Sequence, residues 1–360
     1  MVLPVQRTLL IKGPVLALVR RRLLDIGFAL AGLGLAMQFN VARFYENKVP
    51  PGGPLALLEG TYAVPFQYRV LVPLAVRGLL KVPTGLSFMW MYAAFDLAAV
   101  LGLCFVMRGL VLRFTDNLLY ASVSGLGLFY VLPFNFVHTF WYPSDVPSVL
   151  FFALGLRLLL ERKWIWYYPL FILATLNRET TIYLTLTQIL VSIGTARSMG
   201  LWKHVVMQAL LWSVIKGTLW FIYRTNPVVG FGLFENQLWA NIEALADWPR
   251  LAAYLMNFGG SWIPVVIWQH KLAQPFLRRA LLVCVVQMLV LGTVGVLDEM
   301  RVYGEIIPVV YLALVMLVWQ AGGVAKLADA WQLKLTGLDE HSRRSGGLQF
   351  NLRHPVVATE

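Results

Sequence analysis

The sequence predicts an all-α fold, a polytopic transmembrane helical bundle of about ten spans, on three observations. Hydrophobic residues make up 59% of the 360, and charged residues only 13%, against about a quarter charged in soluble domains. Mean hydropathy is +0.68. Apolar runs close to the length of a membrane crossing recur along the chain, and a helical span needs about 20 mainly apolar residues. The formal charge of +12 would point to nucleic acid in a soluble chain, so the placement of the cations decides what it means.

Residues 1–22 form a basic segment. The apolar run behind it is long and has no small-residue cleavage site, so it reads as a retained first span rather than a signal peptide. The transmembrane domain covers 23–324. Candidate spans lie at 23–40, 86–107, 117–137, 146–160, 164–176, 180–195, 204–223, 251–269, 280–297 and 305–324. Residues 67–81, QYRVLVPLAVRGLLK, are too short and too charged to cross. They fit an outer interfacial helix with Arg69, Arg77 and Lys81 toward the headgroups. The tail, 325–360, turns polar and reads as a poorly ordered cytoplasmic extension. Cys104 and Cys284 lie in apolar runs without His or Cys at ligand spacing, so neither a disulfide framework nor a metal centre is expected.

Charge sets the topology. With the N-terminus cytoplasmic, the inner segments hold 20 of the 30 Lys and Arg, the outer segments hold nine, and Lys216 falls inside a span. This is the positive-inside bias. It predicts a multi-pass protein of the inner (plasma) membrane with both termini cytoplasmic. The surplus charge is then a topology signal, and nucleic acid drops out as a partner.

The same bias decides the geometry of LNRET, residues 176–180. A single span over 164–195 would flip every later loop and send ten cytoplasmic cations outside. Two short spans meeting at Asn177, Arg178 and Glu179 keep the bias. Residues 164–176 make only about 20 Å of helix at ~1.5 Å per residue, against a hydrocarbon core of about 30 Å. The triplet is therefore expected in a recess lined by protein, since a turn in lipid leaves backbone groups unsatisfied.

The other ionisable clusters face the same outer side. The first outer segment carries Arg43, Glu46, Glu59 and PFQYRVLVP, the second ends in WYPSD at Asp145, and the last reads LDEMRVYGEIIP. There Asp298, Arg301 and Glu305 fall at i, i+3 and i+7, one face of a helix. Charges at membrane depth usually face a bundle interior and mark function. Blander readings stand beside this one. Asp145 suits a helix N-cap ahead of Val146-Pro147-Ser148. Glu46 and Glu59 suit solvated loop acids, as do Glu235, Glu243 and Asp247. His138, Trp141 and Tyr142 suit an interfacial belt, and Asp96 and Lys216 would compensate each other inside the membrane.

There is no Gly-rich phosphate loop, HExxH, CxxC or GxSxG, and no internal repeat. Outward acids and arginines without a nucleotide motif point to a donor presented by the membrane itself. An acidic first outer loop with an interfacial helix, an acid at the next outer loop and arginines at outer span ends resemble the GT-C superfamily of integral-membrane glycosyltransferases. PFQYRVLVP, SDVPSVLFF, LNRET and EMRVYGEIIP look like stretches of uncharacterised bacterial membrane proteins of that type. The resemblance covers 23–324. It implies a GT-C-like bundle that transfers a sugar from a polyprenyl-phosphate-linked donor to a glycan or lipid acceptor on the outer face, using a first-loop carboxylate as base.

Such a transfer needs a carboxylate to deprotonate the acceptor and cations to hold the departing phosphate. Asp145 and Glu46 are the candidate bases. Arg178, Arg301 and Arg69 are the phosphate candidates. Glu179 and Glu305 orient them, and Asn177 belongs to the substrate-binding set. A divalent metal bridging carboxylate and phosphate is compatible with this chemistry, but no ligand spacing demands one. The alternatives are a polysaccharide polymerase or ligase, a lipid-linked glycan transporter and a non-catalytic assembly subunit.

Overall fold

The structure is a computed structural model that describes residues 12–50, 52–83, 85–193, 198–228, 236–297 and 299–323. The C-terminal tail, Asp298 and Glu235 lie outside them, as do the first eleven residues. Among the described residues the fold is all-helical, with only isolated bridges pairing Lys48 with Phe140 and Val64 with Val228. Six helices are long and apolar enough to cross a membrane. They are α1 (Lys12–Glu46), α4 (Phe88–Thr115), α5 (Leu118–Phe136), α9 (Ser198–Ile222), α13 (Pro275–Val294) and α14 (Ile307–Gln320) with the tight turn Met300–Ile306 that leads into it. Their apolar residues run all round, which is the pattern of helices that meet protein on one side and lipid on the other.

Between α5 and α9 stand three shorter helices, α6 (Asp145–Leu160), α7 (Trp164–Asn177) and α8 (Ile182–Ser192). The chain breaks at the expected triplet. α7 ends at Asn177, Arg178 is extended at φ −159° and ψ 146°, and Glu179–Thr181 form a 3-10 turn before α8. The inner core gathers α4, α5, α6 and α14 around Leu103, Met107, Leu132, Val149, Ile307 and Met316, none of which reaches solvent. α1 joins this core through Ala36 and Phe39, while the outer sides of α1 and α9 expose apolar side chains such as Leu30, Leu210 and Val214.

Two sequence expectations are corrected. The stretch 251–269 is not one span: α11 (Trp248–Leu255) and α12 (Trp262–Trp268) flank a turn at Asn257–Gly260. Phe258 and Gly259 there take positive φ, 57° and 62°. The Gly259-Gly260 pair permits the reversal. Asn135 of α5 anchors it, accepting from Phe258 N at 3.1 Å and donating to Met300 O at 3.0 Å. The segment 67–81 also differs from a simple surface helix. Phe66–Tyr68 form a 3-10 turn, and α3 (Leu71–Leu79), with nine residues, spans about 14 Å, too little to cross. Val72 and Val76 bury against Leu58, Tyr92 and Trp141, and Lys81 is exposed, but Arg69 turns inward. The turn and α3 therefore fasten the first outer segment to the bundle.

Candidate functional site

Asp145 opens α6 with its side chain wholly buried, and three arginines reach it. Its Oδ1 accepts from Arg301 Nη1 at 3.3 Å and, at the limit of a hydrogen bond, from Arg178 Nη1 at 3.5 Å. Its Oδ2 accepts from Arg43 Nη2 at 3.3 Å. Arg43, near the end of α1, also pairs with Asp96 of α4 and donates to Tyr142 O at 2.8 Å. Trp141 Nε1 donates to the same Asp96 oxygen at 3.1 Å. A buried charge without a partner is expensive by several kcal/mol, and here each ion offsets the desolvation of the next.

The network continues into the turn before α14. Arg178 Nε lies 3.1 Å from Glu305 Oε1. Thr180 Oγ1 donates to that oxygen at 2.6 Å, and Gln287 Nε2 to the other at 3.3 Å. Arg301 Nη2 donates to Glu299 at 2.8 Å while its guanidinium lies 4.3 Å from the centre of the Tyr142 ring. This stacking is favourable, because the ring face is electron-rich.

A second corner faces the other way. Glu179 accepts from Arg69 Nη2 at 2.9 Å, and Lys216 Nζ of α9 stands 4.0 Å from its other oxygen. Trp212 Nε1 holds the Glu179 carbonyl at 2.8 Å. Arg178 and Glu179 are neighbours in sequence, yet the extended backbone at Arg178 sends them to different partners. Phe66 stacks on Tyr142 at 4.8 Å, and Arg69 lies 5.0 Å from the centre of the Phe66 ring. The aromatic pair thus stands between Arg69 and Arg301.

Glu179 sits in the turn between α7 and α8. Burial alone would raise its pKa, but Arg69, Lys216 and Arg178 outweigh burial and hold the carboxyl well below the usual range. A depressed folded pKa gives stability that is fully present above the unfolded value of about 4.3 and is lost as pH falls toward the folded value. The stability gap between wild type and Glu179→Gln therefore narrows as pH falls below about 5. Thermal melts from about pH 6 to about pH 3 measure it, and a gap that stays constant over that range is the contrary result.

Of the residues singled out in the sequence, Asp145, Arg178, Glu179, Arg301, Glu305 and Arg69 come together here. Asn177 joins them by donating to Ser144 O at 2.9 Å, next to Asp145. Glu46 does not: it is exposed at the end of α1, 3.8 Å from His138. Glu59, Glu243 and Asp247 are likewise exposed.

Four readings change. Asp145 does not cap α6, because its carboxylate is taken by arginines. Arg69 is buried within the protein rather than turned outward to headgroups. Asp96 pairs with Arg43 and Lys216 faces Glu179, so the two do not compensate each other. Trp141 and Tyr142 are buried parts of the cluster, not belt residues. Arg43, an outer-segment cation that is not among the candidate site residues, joins the cluster through Asp96 and Asp145; its signal in the sequence is a lone cation in the apolar stretch that closes α1. Among the described residues no group of three or more His, Cys, Asp or Glu is placed to hold a metal ion.

Fold and site together define a class: a membrane-spanning helical protein with a buried, internally paired charge cluster where several of its helices meet. Comparison with known proteins finds no matching family model, no matching curated protein and no matching solved structure.

Proposed function

We propose that this protein is a GT-C-type membrane glycosyltransferase that moves a sugar from a polyprenyl-phosphate-linked donor to a glycan or lipid acceptor on the outer face. The observation that carries the reading is the convergence of Arg178 and Arg301 on Asp145, with Arg69 and Glu179 alongside. Four separate parts of the chain supply these residues, and a charge assembly of that kind at membrane depth is costly unless it serves a purpose. Asp145, with all its near partners cationic and its side chain buried, positions arginines in this reading. Of the two carboxylates of the cluster with solvent-exposed side chains, Glu179 is engaged by Arg69 and Lys216, so the reading assigns Glu299, 29% exposed beside Arg301, to receive the acceptor proton.

The reading requires the cluster to face outward and both termini to be cytoplasmic. The eighth crossing is then made not by 251–269 but by the shorter stretch from the Asn257–Gly260 turn to Ala273. That turn is tied through Asn135 to Met300, and Ala273 donates to Gln320 at the other end of α14 at 3.1 Å. α6, with 16 residues, and α7, with 14, reach about 24 and 21 Å, enough for shortened crossings that meet a recessed site. Reporter fusions after Lys203 and after Arg279 are expected to report cytoplasm. An external signal at either refutes the topology.

The activity is tested with the full chain in liposomes supplied with labelled polyprenyl-phosphate sugars and a lipid and glycan extract. The expected result is release of the sugar to an acceptor, with Glu299→Gln slower by about 10²–10⁴. A polymerase or ligase differs in the acceptor that gains label. Movement of intact donor between leaflets without loss of its sugar would replace the enzyme by a transporter.

A further inference from the structure

Around Asp145 three arginines meet four carboxylates and each leaves only its Nε without a hydrogen-bond partner, whereas around Glu179 two cations meet one carboxylate. Arg69 and Lys216 share that single carboxylate, one at 2.9 Å and the other at 4.0 Å. Arg69 is 7% exposed, yet its Nε and Nη1 have no hydrogen-bond partner, and neither does Lys216 Nζ. Buried donors of this kind are normally satisfied, and those of a charged group carry the larger penalty when they are not. Two cations against one anion leave this corner short of one negative charge.

The corner also borders a lipid-facing helix. Lys216 belongs to α9, whose neighbouring Val214 and Phe221 are exposed, as is Leu74 of α3. α9 is seated on the 66–70 turn through Leu219 against Val64, Tyr68 and Val70. An anion entering from that side can keep an apolar chain against α9 and α3 while its charged end meets the two cations.

We propose that Arg69 and Lys216 form the binding site for the phosphate of a lipid-borne phosphate ester, with Glu179 holding the two cations apart, and that Arg178 takes no direct part in it. The planar guanidinium supplies two unfilled N–H donors to one tetrahedral anion, and the ammonium supplies a point charge. This deepens the glycosyltransferase reading and rests on it for the identity of the donor, though not for the binding itself.

The test uses the full chain in phosphatidylcholine nanodiscs, with thermal stability followed against farnesyl phosphate, farnesol and inorganic phosphate at constant ionic strength. Farnesyl phosphate is expected to raise Tm saturably and farnesol is not. Lys216→Met is expected to raise the half-saturating concentration at least tenfold, and Lys216→Arg to restore it. Arg69→Gln gives the same loss if it folds, and the Lys216 pair decides the matter if it does not. Inorganic phosphate competing with farnesyl phosphate assigns recognition to the phosphate group alone. Failure to compete assigns it to the lipid-borne ester. Unchanged affinity in Lys216→Met, or equal stabilisation by farnesol, overturns the proposal. Full sugar transfer by Lys216→Met would sink this site while leaving the enzyme reading intact. Phosphate binding without any transfer would do the opposite.

Discussion

Asp145→Ala is expected to yield little or no folded protein. The side chain it removes is wholly buried and faces Arg43, Arg178 and Arg301 at once. Breaking one buried ion pair by deleting a partner destabilises by roughly 3–5 kcal/mol, because the remaining charge stays buried and unpaired. Here three guanidinium groups lose a shared anion, although Asp96, Glu305 and Glu299 still hold one each. Even the single-pair figure is a large part of the 5–15 kcal/mol that holds a typical domain folded. Asp145→Asn keeps an acceptor oxygen and the shape, so it should be milder. Size-exclusion profiles of detergent-extracted protein and thermal melts measure the order wild type, Asn, Ala. Glu46→Gln serves as control and should behave as wild type, since Glu46 is exposed. An Ala variant as abundant and as stable as wild type would remove Asp145 from the centre of the cluster.

Arg178→Lys has the second largest expected effect, on stability rather than on turnover. Arg178 reaches Asp145 at the head of α6 through Nη1 and Glu305 before α14 through Nε. A lysine ammonium is a compact point charge without that fork, so it serves one carboxylate and leaves the other under-satisfied. Hydrogen bonds to charged groups contribute about 1.5–3 kcal/mol, and the loss of one such contact sets the expected fall. Abundance and Tm should drop while transfer per folded molecule stays near normal. Lys216→Met should show the converse, normal abundance with weak binding of the lipid phosphate. Sequence reasoning that placed a phosphate on Arg178 implies normal folding and lost activity for Arg178→Lys. The two carboxylates found beside it reverse that expectation, and the pair of variants separates the two outcomes.

Local pattern carried the helical class, the membrane-spanning character and the break at Asn177-Arg178-Glu179. These follow from burial of apolar surface and from the expense of charge in lipid, both readable within a few turns of helix. Local pattern failed at 251–269, where apolar residues on both sides hid a reversal at Phe258-Gly259 whose anchor, Asn135, lies more than a hundred residues away. It failed again for Asp96, because hydropathy states that a buried charge needs a partner but not which one. The partner, Arg43, depends on how α1 packs beside α4, and the inward turn of Arg69 depends on α9 closing over residues 66–70. Sequence by itself thus determined which residues could not be left alone in the membrane. Only the tertiary structure decided their pairing, since contacts between residues far apart in the chain are set by helix packing rather than by any periodicity along it.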